Sequence, residues 1–73
     1  MMDQIAPEET KSNLTSLVGR VITVTVKDER EFRGKLLSFD EHMNLLLAEA
    51  EGPDNKKFEL VLIKGGNISN ITL

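Results

Sequence analysis

The segment "EFRGKLLSFD" (31–40) constrains the fold more than any other part of the chain. Apolar and polar residues alternate from Phe32, as in a strand with one buried face, until Leu36 and Leu37 stand side by side. A strand that changes faces just after a glycine must bend sharply or carry a bulge, and Gly34 permits either. The segment therefore predicts a strongly bent strand.

Four further short strands are predicted around this one. The residues "VITVTV" (21–26) are all β-branched, and "MNLLLAEA" (43–50) is largely apolar. Two more strands, "FELVLI" (58–63) and "NISNITL" (67–73), complete the set. Five short strands, one of them bent, indicate an all-β fold, either a small antiparallel barrel or a sandwich.

The connections between these strands are polar or rich in glycine. "KDER" (27–30) is a hydrophilic turn, and "EGPDNKK" (51–57) is a loop with a Gly-Pro pair. We interpret "KGG" (64–66) as a hairpin turn between the last two strands.

The N-terminal part differs in character from the rest. Residues 1–11 are polar, acidic and interrupted by Pro7, which predicts a flexible lead-in to a single domain over 12–73. A short helix is expected to begin at Thr10 or Ser12 and to end at Gly19. Its predicted apolar face consists of Leu14, Leu17 and Val18.

Composition excludes several classes of function. The 73 residues include no cysteine and one histidine, so disulfides and zinc–thiolate sites are ruled out, and we expect no metal and no cofactor. The formal net charge of −3 argues against a basic nucleic-acid binder but leaves room for a few local contacts. Neither a signal peptide nor a membrane span is recognisable, so we expect a cytoplasmic protein.

Two features indicate association between copies. A domain this small buries only roughly 60% of its unfolded surface, and a further source of stability is expected. The strand 58–63 is apolar on both faces, and the strand 67–73 has no predicted neighbour at its outer edge. Pairing between these two edges in a head-to-tail fashion would have to close into a ring or grow into a filament.

Two stretches resemble the motifs of the Sm/Lsm family. In residues 18–50, Gly34 lies in the second strand, and Asp40, Met43 and Asn44 form an Asp-x-x-Met-Asn pattern before the third strand. "LVLIKGGNISNITL" (60–73) is similar to the family's second motif, with Gly65 at the expected spacing. The resemblance covers residues 12–73 and is strongest to the short, single-domain archaeal Sm-like proteins.

The resemblance implies a short helix followed by a strongly bent, five-stranded, SH3-like barrel. It implies a ring, usually of seven subunits, in which strand 58–63 of one copy pairs with strand 67–73 of the next. It also implies binding of single-stranded, uridine-rich RNA at the inner rim, in RNA processing or chaperoning, with RNA-processing proteins as candidate partners.

Residue roles follow from the same resemblance. His42 would stack on a uracil, Asn44 would hydrogen-bond the polar edge of the base, and Lys64 would lie against its other face. Gly65 would let the backbone approach the base. Asp40 and Met43 would support the pocket without touching RNA.

The chain departs from the family pattern at two positions. Lys64 replaces an arginine, which removes a flat, stackable cation, and Gly66 replaces an aspartate or asparagine. These departures leave open an alternative function, a ring-shaped scaffold for other proteins with a weakened or lost RNA pocket. A bacterial Hfq-like hexamer is disfavoured because the Tyr-Lys-His signature of that branch is missing.

Catalysis is not expected. Glu49 and Glu51 could mimic the paired carboxylates of an acid–base site, but beside the Gly-Pro loop they are more typical of a solvated strand end. One histidine also cannot supply a convincing Ser-His-Asp or Cys-His arrangement.

Overall fold

The computed structural model describes residues 4–5 and 14–73. A short helix covers residues 14–17, and turns of 3₁₀ helix occur at Pro53–Asn55 and Gly65–Asn67. The strands are β1 (Gln4–Ile5), β2 (Val21–Val26), β3 (Glu31–Phe39), β4 (Leu45–Glu51), β5 (Lys57–Ile63) and β6 (Ile68–Thr72). The predicted helix start and the rest of the predicted lead-in lie outside the described residues.

All strands belong to one antiparallel sheet in the order β1-β6-β2-β3-β4-β5. The five predicted strands are confirmed, each within two residues of its expected bounds. The two-residue strand β1, which the sequence did not predict, pairs with β6 through Gln4↔Thr72 and Ile5↔Ile71.

The hairpin predicted at 64–66 is wrong. β5 and β6 do not pair with each other, because β6 lies beside β2 on the far side of the sheet. The 3₁₀ turn Gly65–Asn67 therefore carries the chain from one edge strand to another part of the sheet. A glycine-rich turn permits both connections, and the pairing Val24↔Ile71, with both side chains fully buried, decides between them.

Two bulges bend the ladder between β3 and β4. Opposite Gly34, β4 carries two residues, Glu49 and Ala50, and Glu49 has a left-handed φ of 49°. Further along, Leu37 is the extra residue on β3. Bulges increase the local twist and bend a strand, so the predicted bend after Gly34 is confirmed.

The bent sheet encloses one core. Leu14 and Leu17 of the helix contribute to it, whereas Val18 is 42% exposed, so its predicted place on the buried face is wrong. Gly19 takes a left-handed φ of 90°, which ends the helix as expected. The buried residues are Leu14, Leu17, Ile22, Val24, Val26, Leu36, Leu45, Leu47, Ala50, Ile63 and Ile71.

The edge strand β5 is apolar on both faces, as predicted. Ile63 is buried and Val61 half-buried, whereas Leu60 and Leu62 on the opposite face are 58% and 63% exposed. Surface leucines scattered singly are common, but two alternate ones on an open edge strand mark a surface suited to pairing.

Two smaller observations bear on function. Glu49 and Glu51 are both exposed at the end of β4, in agreement with a solvated strand end. In the part of the chain that the structure describes, no helix has the length and apolarity to cross a membrane.

We predict that Gly34→Ala lowers the free energy of unfolding by about 1–3 kcal/mol, because the new methyl group overpacks the bulge. A Cβ at Gly34 would lie 3.0 Å from the carbonyl oxygen of Ala48 and 3.0 Å from Cα of Ala50, neither of which can rotate away. Urea denaturation measures the change. Gly66→Ala is the matched control, since its Cβ would meet nothing within 4 Å, and equal stability losses in the two variants would contradict the prediction.

Candidate nucleic-acid interface

The loop 40–44, which joins β3 to β4, is a tight turn closed by its own backbone. The Met43 N–H donates to the Asp40 carbonyl at 2.9 Å, and the Asp40 N–H donates to the Asn44 carbonyl at 3.2 Å. Met43 takes a left-handed φ of 63°, which is uncommon for a residue other than glycine. Its half-buried side chain packs against the core, and this apolar contact stabilises the position of the turn.

The carboxylate of Asp40 organises this loop. Its Oδ1 accepts hydrogen bonds from the His42 N–H at 2.9 Å and the Asn44 N–H at 3.0 Å. Its Oδ2 accepts one from Asn44 Nδ2 at 2.9 Å. Hydrogen bonds from Asn44, backbone first and then side chain, lower the pKa of Asp40 below its usual value, and the His42 N–H adds to the effect.

The side chain of Asn44 joins this loop to the loop 64–67. While its Nδ2 donates to Asp40, its Oδ1 accepts a hydrogen bond from the Gly65 N–H at 2.9 Å. We call these two contacts the loop bridge. Because one end of the amide meets a carboxylate and the other an N–H, the bridge fixes which atom is oxygen and which is nitrogen. After these contacts, Nδ2 still has one N–H to donate, and Oδ1 can still accept one hydrogen bond.

Gly65 is required by the closeness of the two loops. A Cβ at this position would collide with the carbonyl oxygen of His42 and would lie 2.9 Å from the carbonyl carbon of Met43. The resemblance assigned Gly65 to a close approach of backbone to a base. In the structure, glycine is required at this position for a different reason, because the two loops approach each other closely.

His42 and Lys64 are close, along the chain, to the residues that form the loop bridge. Both residues are exposed, and the backbone N–H of His42 donates a hydrogen bond to the Asp40 carboxylate. Lys64 immediately precedes Gly65, and its carbonyl accepts a hydrogen bond from the Asn67 N–H at 2.9 Å. The structure thus brings His42, Asn44 and Gly65 together and places Lys64 next to them along the chain.

Two further cations lie near Lys64. Lys27 and Arg30, from the turn between β2 and β3, line the same cavity of about 390 Å³ as Lys64. Arg30 Nε is 2.7 Å from the Asp28 carboxylate, so part of its charge is offset, and its guanidinium carbon lies 5.7 Å from the centre of the Phe32 ring. The sequence identifies Lys27 and Arg30 only as turn residues, because no local pattern links them to residues more than thirty positions away.

The second departure from the family pattern, Gly66, lies at a position where the structure has room for a side chain. A side chain at Gly66 would enter open space, since no atom lies within 4 Å of the Cβ position. Glycine there is therefore not demanded by packing.

Comparison with known proteins agrees with this architecture. The model of the LSM domain family matches residues 12–73. An snRNP Sm-like protein of Methanosarcina acetivorans is 41% identical over 59 residues, which cover 75% of this chain and 82% of the relative. The chain belongs to the LSM, or Sm-like, domain family.

Solved structures of the family share the fold. A heptameric archaeal Sm protein superposes with a TM-score of 0.76 at 36% identity, covering 84% of this chain and 94% of that one. The Sm protein of Pyrococcus abyssii, solved in complex with a uridine heptamer, gives a TM-score of 0.76 at 29% identity, covering 84% of this chain and 92% of that one.

We predict that the pKa of Asp40 lies below the usual aspartate value of about 3.9, and that the loop bridge breaks only when the Asp40 carboxylate is protonated. Because folding lowers the pKa of Asp40, the carboxylate stabilises the folded loop fully at pH values above the ordinary aspartate pKa. This contribution is lost as the pH falls through the lowered pKa. NMR titration of Asp40 together with the amide signals of His42 and Asn44 measures this.

Asn44→Ala provides the control for this titration. Without the side-chain donor, the pKa of Asp40 is expected to rise toward its usual value. The prediction is wrong if Asp40 titrates at the usual value in both proteins.

Proposed function

We propose that the protein assembles into a closed ring, of seven copies, that binds single-stranded, uridine-rich RNA at its inner rim. His42, Asn44, Lys64 and Gly65 form the base pocket in this proposal, and Asp40 and Met43 support it. The observation that carries the proposal is the loop bridge, which holds the Asn44 amide in one orientation beside an exposed histidine.

The chemistry of the pocket suits uracil. Its Watson–Crick edge presents one N–H donor between carbonyl acceptors, and the Asn44 amide retains one acceptor and one donor position after the bridge is made. An amide already oriented by two protein contacts loses little freedom on binding a base, which favours discrimination. The exposed imidazole of His42 offers a flat surface on which an unstacked base can lie.

Charge imposes a limit on how RNA is held. Seven copies would carry seven times −3, a formal −21, so long-range attraction for RNA is absent. Binding must come from local cations, and Lys64, together with Lys27 and Arg30 across the cavity, supplies them on each subunit. Lysine attracts phosphate but stacks poorly because its charge is compact and strongly hydrated.

Ring formation is supported by the unequal edges of the sheet. The exposed leucines of β5 lie on one edge strand, while β6 lies near the other. A contact between two different edges is head-to-tail, and such contacts close into rings when the rotation between neighbours permits. A relative with this fold was solved as a heptamer, which supports a ring of seven copies.

We infer a binding function in RNA processing or RNA chaperoning rather than catalysis, with the cytoplasm as the expected place of action. A scaffold that assembles other proteins around an RNA-free ring is the competing function. Gly66 and Lys64 favour the scaffold, because each removes a group that the family uses in the pocket. RNA binding by the assembled ring separates the two functions.

We predict that Leu60→Lys combined with Leu62→Lys prevents ring formation. Both side chains are exposed in the single subunit, so the charges leave its fold intact but cannot be buried against a neighbour. Native mass spectrometry and light scattering measure the assembly state. Leu37→Lys, at a side chain 40% exposed on the interior strand β3, is the control that keeps the ring. Monomeric wild-type protein at micromolar concentration would refute the proposal.

We predict that the ring binds oligouridine more tightly than oligoadenosine and that His42→Ala weakens oligouridine binding by about 1–3 kcal/mol per stacked base. Asn44→Ala is expected to reduce both affinity and base preference, because the same amide holds the loops and faces the base. Fluorescence anisotropy with labelled RNA measures both effects. Glu41→Gln, an exposed change in the same loop, is the control expected not to weaken binding.

Substitution of Lys64 distinguishes the two functions in the same assay. In an RNA-binding ring, Lys64→Ala reduces affinity and flattens its dependence on salt, and Lys64→Arg strengthens binding by restoring a flat cation. Equal binding by all three proteins, or no binding by an intact ring, would favour the scaffold.

A further inference from the structure

The strand β1 occupies part of the edge at which the proposed ring would close. Ile71 and Thr72 of β6 pair with β2 on one side and with β1 on the other. Without β1, the outer side of β6 would be an open edge of the sheet. Two of the five residues of β6 are therefore paired, on their outer side, with a segment of the same chain.

The two edges of the sheet therefore differ in how much of their backbone is already paired. Among the described residues, no strand pairs with the outer edge of β5, which is seven residues long and carries exposed leucines, whereas the outer edge of β6 is covered at its C-terminal end. A neighbour's β5 that paired along the full length of β6 would compete with Gln4 and Ile5 for the same backbone groups of Ile71 and Thr72.

We propose that β1 is a displaceable cover for the assembly edge, so that each ring contact forms by strand exchange. This inference rests on the proposed ring. In the single subunit, Gln4 and Ile5 protect the end of β6. In the ring, β5 of the neighbouring copy takes their place, and β1 leaves the sheet.

The lengths of the competing strands give the exchange its direction. β1 is two residues long and forms one short stretch of ladder, whereas β5 is seven residues long and also brings Leu60 and Leu62 out of water. Displacing β1 therefore costs the ring contact little free energy once two subunits have met. The short strand nevertheless lowers the fraction of subunits whose edge is free, and the apparent affinity of each contact falls by that fraction.

A cover of this kind acts against wrong association. An open edge strand pairs with any other open edge, and proteins commonly block such edges with short strands or added segments. With Ile71 and Thr72 paired to β1, the longer open edge of a free subunit, within the described residues, is β5, and it is the same edge in every copy. A productive contact then requires the exchange, which selects a partner that supplies a long apolar strand.

The cover can be tested first in the absence of a ring. In the monomeric Leu60→Lys, Leu62→Lys protein, amide hydrogen exchange is measured at Ile71 and Thr72 with and without Gln4→Pro combined with Ile5→Pro. Proline has no backbone N–H, so the double substitution removes both possible donors of β1 and with them any hydrogen bond that β1 donates to β6. Exchange at the β6 amide that faces β1 is expected to accelerate about three- to tenfold. The variant Gln4→Thr combined with Ile5→Val keeps both donors and is the control.

The second measurement follows ring formation in the otherwise unaltered chain. The proline variant is expected to assemble at about a three- to tenfold lower protein concentration, or at a correspondingly higher rate after dilution and reconcentration, than the wild type and the control. In the wild-type ring, the amides of Gln4 and Ile5 are expected to exchange faster than in the monomer.

The outcomes separate the cover from the ring. Unchanged exchange at Ile71 and Thr72 in the monomer, or equal assembly of all three proteins into rings, overturns the cover and leaves the ring intact. A cover seen in the monomer with no assembly by any protein overturns the proposed ring, and the exchange with it. Weaker assembly by the proline variant would show that β1 supports the contact, which is the opposite of the inference.

Discussion

The bend of the sheet at the two bulges between β3 and β4 is the constraint on which the rest of the molecule depends. A flat sheet of these strands would leave one apolar face in water, since only a single turn of helix, at 14–17, is available in the described residues to cover it. With an extra residue on β4 opposite Gly34 and another on β3 at Leu37, the sheet bends over its own inner face. Leu36, between the bulges, is fully buried.

The pairing of β4 with β5, in which Leu45 faces Ile63, brings the two loops of the candidate site together. The loops 40–44 and 64–67 belong to different connections of the sheet, yet they approach so closely that Gly65 can carry no side chain. Once they meet, a single amide joins them, and a carboxylate with three hydrogen bonds fixes that amide. The rigidity of the site thus derives from the scaffold, while the groups that would contact a ligand remain exposed.

Much of this could be predicted from the sequence, and the failures are informative. Alternation and β-branching located five strands, and the break after Gly34 predicted the bend, because both are local signals. The connection at 64–66 was wrong because turn residues do not specify which strand receives the chain; the burial of Ile71 against β2 does. Val18 was misplaced because the helix ends at residue 17, so Val18 lies in the turn that follows it and not on the helical face. The strand β1 was missed because a two-residue pairing at a polar terminus leaves no periodic pattern. In the site, motif spacing singled out Asp40 and Asn44, but only the structure shows that one amide serves both loops.

The place of β6 in the sheet also governs the order in which the chain can fold. β2, β3, β4 and β5 follow one another as neighbours, so their pairing requires only short loops to close. β6 instead pairs with β2, and Val24 and Ile71, which face each other, are 71 − 24 = 47 residues apart in the chain. Contacts of such separation form late, since the entropy of closing the intervening chain is lost before they contribute. A chain in which β6 has not yet docked has β2 and β5 as open edges and lacks Ile71 in its core, so it is more exposed to misassociation than the complete sheet.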